Sequence, residues 1–141
     1  MRKRLIACAM LASALGFAAT AERAPVSAEA LTQELIVPSG QKVEFFETVM
    51  DRPAMGLTAR FRFLAPELPR YLERLSYEEL EADLAALCVG YALPRLGEPS
   101  PAMIVISLTS EPTEFGDPAP DVAQVFEAYR PVEGTCAWEA F

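Results

Sequence analysis

Leu57-Thr58-Ala59-Arg60-Phe61-Arg62-Phe63-Leu64-Ala65 is the clearest alternating stretch of the chain. Leu57, Ala59, Phe61, Phe63 and Ala65 fall on one side, and Thr58, Arg60 and Arg62 on the other. A side-chain period of two marks a strand with one buried face, because successive Cβ atoms leave a pleated backbone in opposite directions. Pro66 and Pro69 end the run, since proline cannot donate to a ladder. Upstream, Lys42 to Met50 reads as a second strand, with Val43, Phe45 and Val49 on one side and Phe46 and Met50 on the other. Asp51-Arg52-Pro53 and Gly56 mark the turn between them, so an antiparallel hairpin is expected.

Downstream, Ser76-Tyr77-Glu78-Glu79 has the pattern of a capping box, with Ser76 as N-cap and Glu79 reaching back to it. At 100° per residue, Tyr77, Leu80, Leu84, Leu87, Cys88 and Tyr91 share one sector, while Glu78, Glu79 and Asp83 fall outside it. Pro94 ends this helix and Gly90 loosens it earlier. Ala102 to Leu108 is a continuous apolar run with Ile104, Val105 and Ile106, the composition of a central strand. Glu111 to Pro120 is a Pro/Gly-rich loop. Asp121 to Arg130 fits either a helix capped by Asp121 or a strand. The strand is preferred, because Val132-Glu133-Gly134 followed by Thr135 to Phe141 completes a hairpin. The expected fold is α+β, in the order β-β-α-β-β-β. An antiparallel sheet of about five strands is covered on one face by one main helix.

The first residues stand apart from this domain. Arg2, Lys3 and Arg4 precede an uncharged apolar stretch from Leu5 to Ala18, and Ala19-Thr20-Ala21 is a small-x-small site. These parts, in this order, read as a signal peptide cleaved after Ala21. Leu5-Ile6-Ala7-Cys8 has the letters of a lipoprotein box, but the apolar run continues well past Cys8. The expected organisation is a signal peptide over residues 1–21, a mobile N-terminal arm over 22–34 and a single α+β domain over 35–141. The expected location is periplasmic or secreted.

Composition narrows the function classes. The 141 residues include 12 Lys+Arg, 20 Asp+Glu and no His, for a net charge of −8. Cleavage would remove three basic residues and leave −11. So acidic a chain repels nucleic acid and anionic lipid, and no membrane association is expected after cleavage. Without His there is no His-based acid–base catalysis and no His-containing metal site. Cleavage also leaves only two thiols, Cys88 and Cys136, 48 residues apart. In an oxidising compartment such a pair is expected to form a disulfide.

Several segments together resemble a known family. Phe126-Glu127-Ala128-Tyr129-Arg130 and Gly134-Thr135-Cys136-Ala137-Trp138-Glu139-Ala140-Phe141 are similar to the C-terminal signature of a family of small exported alphaproteobacterial proteins. The Leu57 to Pro66 stretch and Ile104-Val105-Ile106-Ser107-Leu108 fit it too. The resemblance covers roughly Pro38 to Phe141. That family is a domain of unknown function, so the resemblance implies one exported domain and supplies no catalytic residue.

Few residues suggest chemistry. Arg60 and Arg62 share a sheet face and form a candidate anion-binding pair, for a carboxylate or phosphate held bidentately. The simpler expectation pairs them with acids of the neighbouring strand such as Glu44, each worth less than about 1 kcal/mol. Glu111, Glu114, Asp117 and Asp121 cluster in one loop, but without the alternating spacing of an EF-hand, so a solvated acidic loop is expected. Glu44, Glu47, Glu127 and Glu139 lie in strands and could pair as general acid and base, as any acid-rich chain could. Ser39 and Ser107 lack the surroundings of a nucleophile. No catalytic residue, metal or cofactor is assigned. The leading expectation is an exported, non-catalytic interaction module with an unknown protein partner. The alternative is a small-ligand binder or hydrolase using carboxylates and Arg60/Arg62.

Overall fold

The computed structural model describes residues 34–140. The expected signal peptide over residues 1–21, residues 22–33 of the expected arm, and Phe141 lie outside the described residues. Six strands form one sheet in chain order: β1 (Glu34–Ile36), β2 (Lys42–Asp51), β3 (Thr58–Leu64), β4 (Met103–Thr109), β5 (Gln124–Val132) and β6 (Thr135–Glu139). Neighbours are antiparallel except β3 and β4, which run parallel from Thr58↔Met103 to Leu64↔Thr109. The expected sheet of about five antiparallel strands is therefore corrected in number and in direction. β1 is only three residues long, too short for a period to show, and it exists by pairing with β2. The direction of β4 depends on the connection before it. Residues 65–102 are long enough to carry the chain back to the starting end of β3, which parallel pairing requires.

That connection holds the helices. Helix α1 (Leu68–Leu72) begins with Pro69 in its first turn, where a missing N–H costs nothing. Helix α2 (Tyr77–Leu87) has the expected capping box: Glu79 N–H donates to Ser76 Oγ at 3.2 Å, and Ser76 N–H to Glu79 Oε2 at 2.8 Å. Past Leu87 the helix widens into a π turn over Cys88–Ala92, then tightens to a 3₁₀ turn over Leu93–Arg95. The Leu93 N–H reaches Cys88 O, and Pro94, which has no N–H to offer, follows directly.

β3 keeps the expected alternation. Ala59, Phe61 and Phe63 are buried towards the helix, with Ile104, Ile106 and Leu108 beside them on β4. β2 does not keep its phase. A bulge between Phe45 and Glu47 sets Phe45 opposite Phe63 but Thr48 opposite Phe61 and Val49 opposite Arg60. Val49 thus lies on the face away from the helix and Met50 on the helix face, the reverse of the expectation. One extra residue in a strand flips every later side chain. The residues from 124 to 139 form the preferred hairpin. Its turn places Glu133 (φ 48°) and Gly134 (φ 76°) both in the left-handed region, as a two-residue turn matching strand twist demands.

Two attachments tie this sheet to α2. Asp83, fully buried, accepts from Ser39 N–H at 2.8 Å, Ser39 Oγ at 2.5 Å and Gln41 Nε2 at 2.6 Å, all at the β1–β2 turn. The helical period puts Asp83 outside the apolar sector. It sits at the sector's edge, one turn before Leu87, where a carboxylate meets polar turn groups instead of side chains from the sheet interior. Cys88 is bonded to Cys136 of β6, as expected from the cysteine count. Laid flat, β1 and β6 would lie roughly 24 Å apart. Five residues of helix rise only about 7.5 Å. The sheet therefore curls, bringing both its edges to one helix.

Two expected outcomes follow. The Cys88→Ala/Cys136→Ala double substitution should cost about 2–4 kcal/mol in denaturant unfolding, from the 48-residue closure it removes. Asp83→Ala should cost about 2–4 kcal/mol by stranding the Ser39 and Gln41 donors, and Asp83→Asn should recover part of that loss. An Asp83→Ala midpoint equal to that of the unsubstituted chain would show that the turn is not held by the helix.

Candidate functional site

The face of the sheet away from the helix carries Arg60 and Arg62. The β2 bulge puts Glu47 opposite Arg62 and shifts Glu44 to Leu64. The acid partners are therefore Glu47 for Arg62 and Asp51 for Arg60, not Glu44. Arg62 is only 7% exposed. Its guanidinium pairs with Glu47, donates to Thr113 O at 2.8 Å and Thr113 Oγ1 at 2.7 Å, and lies over the Phe46 ring. These contacts fix the 110–123 loop to the sheet. Arg60 donates through Nε to Asp51 at 2.9 Å and sits over Phe115, with its two Nη groups uncommitted among the described residues. Both arginines line a small cavity of about 170 Å³ with Ser107, Phe115 and the acids Glu114 and Asp117.

Three of the other candidate acids have structural partners. Glu127 accepts from Tyr77 Oη and from Trp138 Nε1, each at 2.8 Å, bridging α2 to β6. Glu139 pairs with Arg130. Asp117 accepts from the Ala119 N–H at 3.0 Å within its own loop. Among the described residues no three potential metal ligands come together. Tyr77, expected in the core sector, lies exposed at its rim because its hydroxyl is drawn to Glu127. That bond raises its pKa above the ordinary phenol value, with smaller contributions from burial and nearby acids. Burial raises the pKa of Tyr129 further, and the Glu127 charge adds to it.

A larger cavity, about 400 Å³ and mostly apolar, lies on the helix face where α2 has turned away. Thr48 and Met50 of β2, Leu57 just before β3, and Ala59 and Phe61 of β3 form its floor. The connector from Arg95 to Pro101 forms its other wall. Met50 is half exposed because no helix covers this end of the sheet. Arg52 and Arg95 both line it, and Arg95 is pre-oriented: Nη1 donates to Tyr91 O at 3.0 Å, and the guanidinium stands 3.7 Å above the Tyr91 ring. Tyr91 in turn stacks on Phe45 and meets Phe61 and Phe63 edge-on. A volume in this range, apolar walls and a few polar groups are the usual makings of a small-molecule site.

No pattern in the sequence marks this site. Arg52 reads as a turn residue and Arg95 as a residue following a helix stop, 43 positions apart, and no period links them. The one available signal was the good helical sector ending at Tyr91, just before Pro94.

The two arginines of the opposite face should differ sharply when removed. Arg62→Ala should cost about 2–3 kcal/mol, because it unpairs Glu47 and frees the Thr113 segment. Arg60→Ala should cost less than about 1 kcal/mol, its ion pair being partly solvated. Equal denaturant midpoints for the two variants would contradict the contrast.

No curated protein and no solved structure shows a significant match to the chain. One family does match, over residues 12–141, nearly the whole length. The chain belongs to that family, described as a family of unknown function (DUF6497).

Proposed function

We propose that this chain is an exported, non-catalytic binding module whose recognition site is the apolar cavity beside Phe61. The cavity itself carries the reading: about 400 Å³ of mainly apolar wall left open at one end of an otherwise well-covered sheet face. Apolar surface held open to water is unfavourable, and an occupant that excludes the water recovers that free energy. The site sits on strands and a braced connector, so it is preformed. Periplasmic or secreted placement rests on the N-terminal signal pattern, and a disulfide is compatible with it.

The alternative, an anion site at Arg60 and Arg62, has support in the uncommitted Nη groups of Arg60. Against it, Glu114 and Asp117 line the same small cavity and would repel an anion.

Fluorescence titration of the oxidised chain with N-phenylnaphthylamine, a neutral apolar dye, tests the reading. One saturable site with blue-shifted emission is expected. Thr48→Trp, an exposed position on the cavity floor, should weaken it at least about tenfold by filling the space. Phe115→Ala, on the opposite face, should leave it unchanged. Non-saturable binding, or a Thr48→Trp variant that binds as well as the unsubstituted chain, would overturn the proposal.

A further inference from the structure

The charges around the cavity say what kind of molecule enters it. Eight basic residues are described: Lys42, Arg52, Arg60, Arg62, Arg70, Arg74, Arg95 and Arg130. Four of these pair with acids: Arg60 with Asp51, Arg62 with Glu47, Arg70 with Glu67 and Arg130 with Glu139. The remaining four have no acidic partner among the described residues, in a chain of net charge −8. Two of the four, Arg52 and Arg95, line one cavity. Arg52 makes no polar contact with the described residues. Arg95 is held by its Nη1 and by the Tyr91 ring, which leaves Nε and Nη2 uncommitted. Fixing a guanidinium in this way before binding lowers the entropic cost of using it. Glu98 lines the same cavity, so its three charged residues sum to +1.

We infer that the cavity takes an amphipathic monocarboxylate of the medium-chain fatty-acid class. The hydrocarbon chain lies against Leu57, Ala59 and Phe61, and the carboxylate sits with Arg52 and Arg95. This rests on the reading of the cavity as the recognition site and adds the ligand's charge and shape. The aliphatic walls supply affinity without direction, and the arginines supply orientation. A net +1 suits one carboxylate. A second negative charge meets Glu98, and a cationic headgroup meets both arginines.

Isothermal titration of the oxidised chain with decanoate, octanoate, decanol, decylamine and decanedioate tests the inference, with the neutral dye as competitor. Decanoate should displace the dye. Octanoate, shorter by two methylenes, should bind about tenfold more weakly. Decanol should also bind about tenfold more weakly than decanoate, with decylamine and decanedioate weaker still. Arg52→Gln and Arg95→Gln should each weaken decanoate about tenfold and weaken decanol and the dye by less than about twofold. Both positions are exposed, and Arg52 makes no polar contact among the described residues that its loss would break. Decanol equal to decanoate, or decanoate unaffected by Arg52→Gln, would overturn the fatty-acid inference while leaving the dye site standing. Failure of the dye itself to bind would overturn both. An apolar peptide with a free C-terminus binding more tightly than decanoate would assign the same chemistry to a peptide and overturn the fatty-acid class.

Discussion

Both ends of one sheet are fastened to a single helix within five residues of each other. Asp83 holds the β1–β2 turn through three hydrogen bonds, and Cys88 holds β6 through a disulfide. Six strands cannot satisfy both attachments and stay flat, because the flat width is about three times the helical rise between the two anchors. The curl that results wraps the apolar face of α2 and concentrates the core. Phe63, Leu84, Ile106, Leu108 and Tyr129 are almost fully inaccessible in a domain of modest size. The two anchors differ in kind. The covalent one stabilises chiefly by restricting the unfolded chain, and the polar one by satisfying a buried carboxylate that would otherwise be costly.

The same helix also determines where the sheet is left bare. The parallel pairing of β3 and β4 obliges the chain to cross from one end of the sheet to the other. It does so as helix, π turn, 3₁₀ turn and connector, and the cover thins as the helix ends. The π turn carries Cys88 at its start and Tyr91 one turn later, so one local irregularity serves the disulfide and the aromatic cluster together. Arg95, braced on Tyr91, then points the crossing back toward the start of β4 along the wall of the apolar cavity. At Gly56 the floor of this region is tight. An added Cβ would meet Ala102 at 3.3 Å on a backbone of φ 101°, so a side chain there is disfavoured on both counts.

Much of the fold was legible because its signals are local. The alternation from Leu57 to Ala65, the Ser76/Glu79 box, the Glu133-Gly134 turn and the two cysteines that follow the N-terminal segment each need only neighbouring residues or counting. What was missed depends on distant parts of the chain. The β2 bulge inverts Val49 and Met50, and it hands Arg62 to Glu47 instead of Glu44. The direction of β4 is not written in its own residues. Asp83 looks like a solvent-facing acid until the β1–β2 turn arrives beside it. For the candidate site the contrast is stronger. The arginines that stood out, Arg60 and Arg62, did so through strand alternation, which also placed them opposite acids. Arg52 and Arg95 stood out in no pattern and meet only through the crossing.

Both sheet edges close on α2, and one NMR experiment reads both attachments in the same oxidised sample. The Gln41 side-chain amide, buried and bonded to Asp83, should exchange slowly with solvent and show nuclear Overhauser contacts to the Asp83 β-protons. The Cys88 and Cys136 β-carbons should carry disulfide shifts and show contacts between their β-protons. A Gln41 amide that exchanges as fast as an exposed one, with no contact to Asp83, would contradict the account: the sheet would then be open at β1, and the helix would cover it from one edge only.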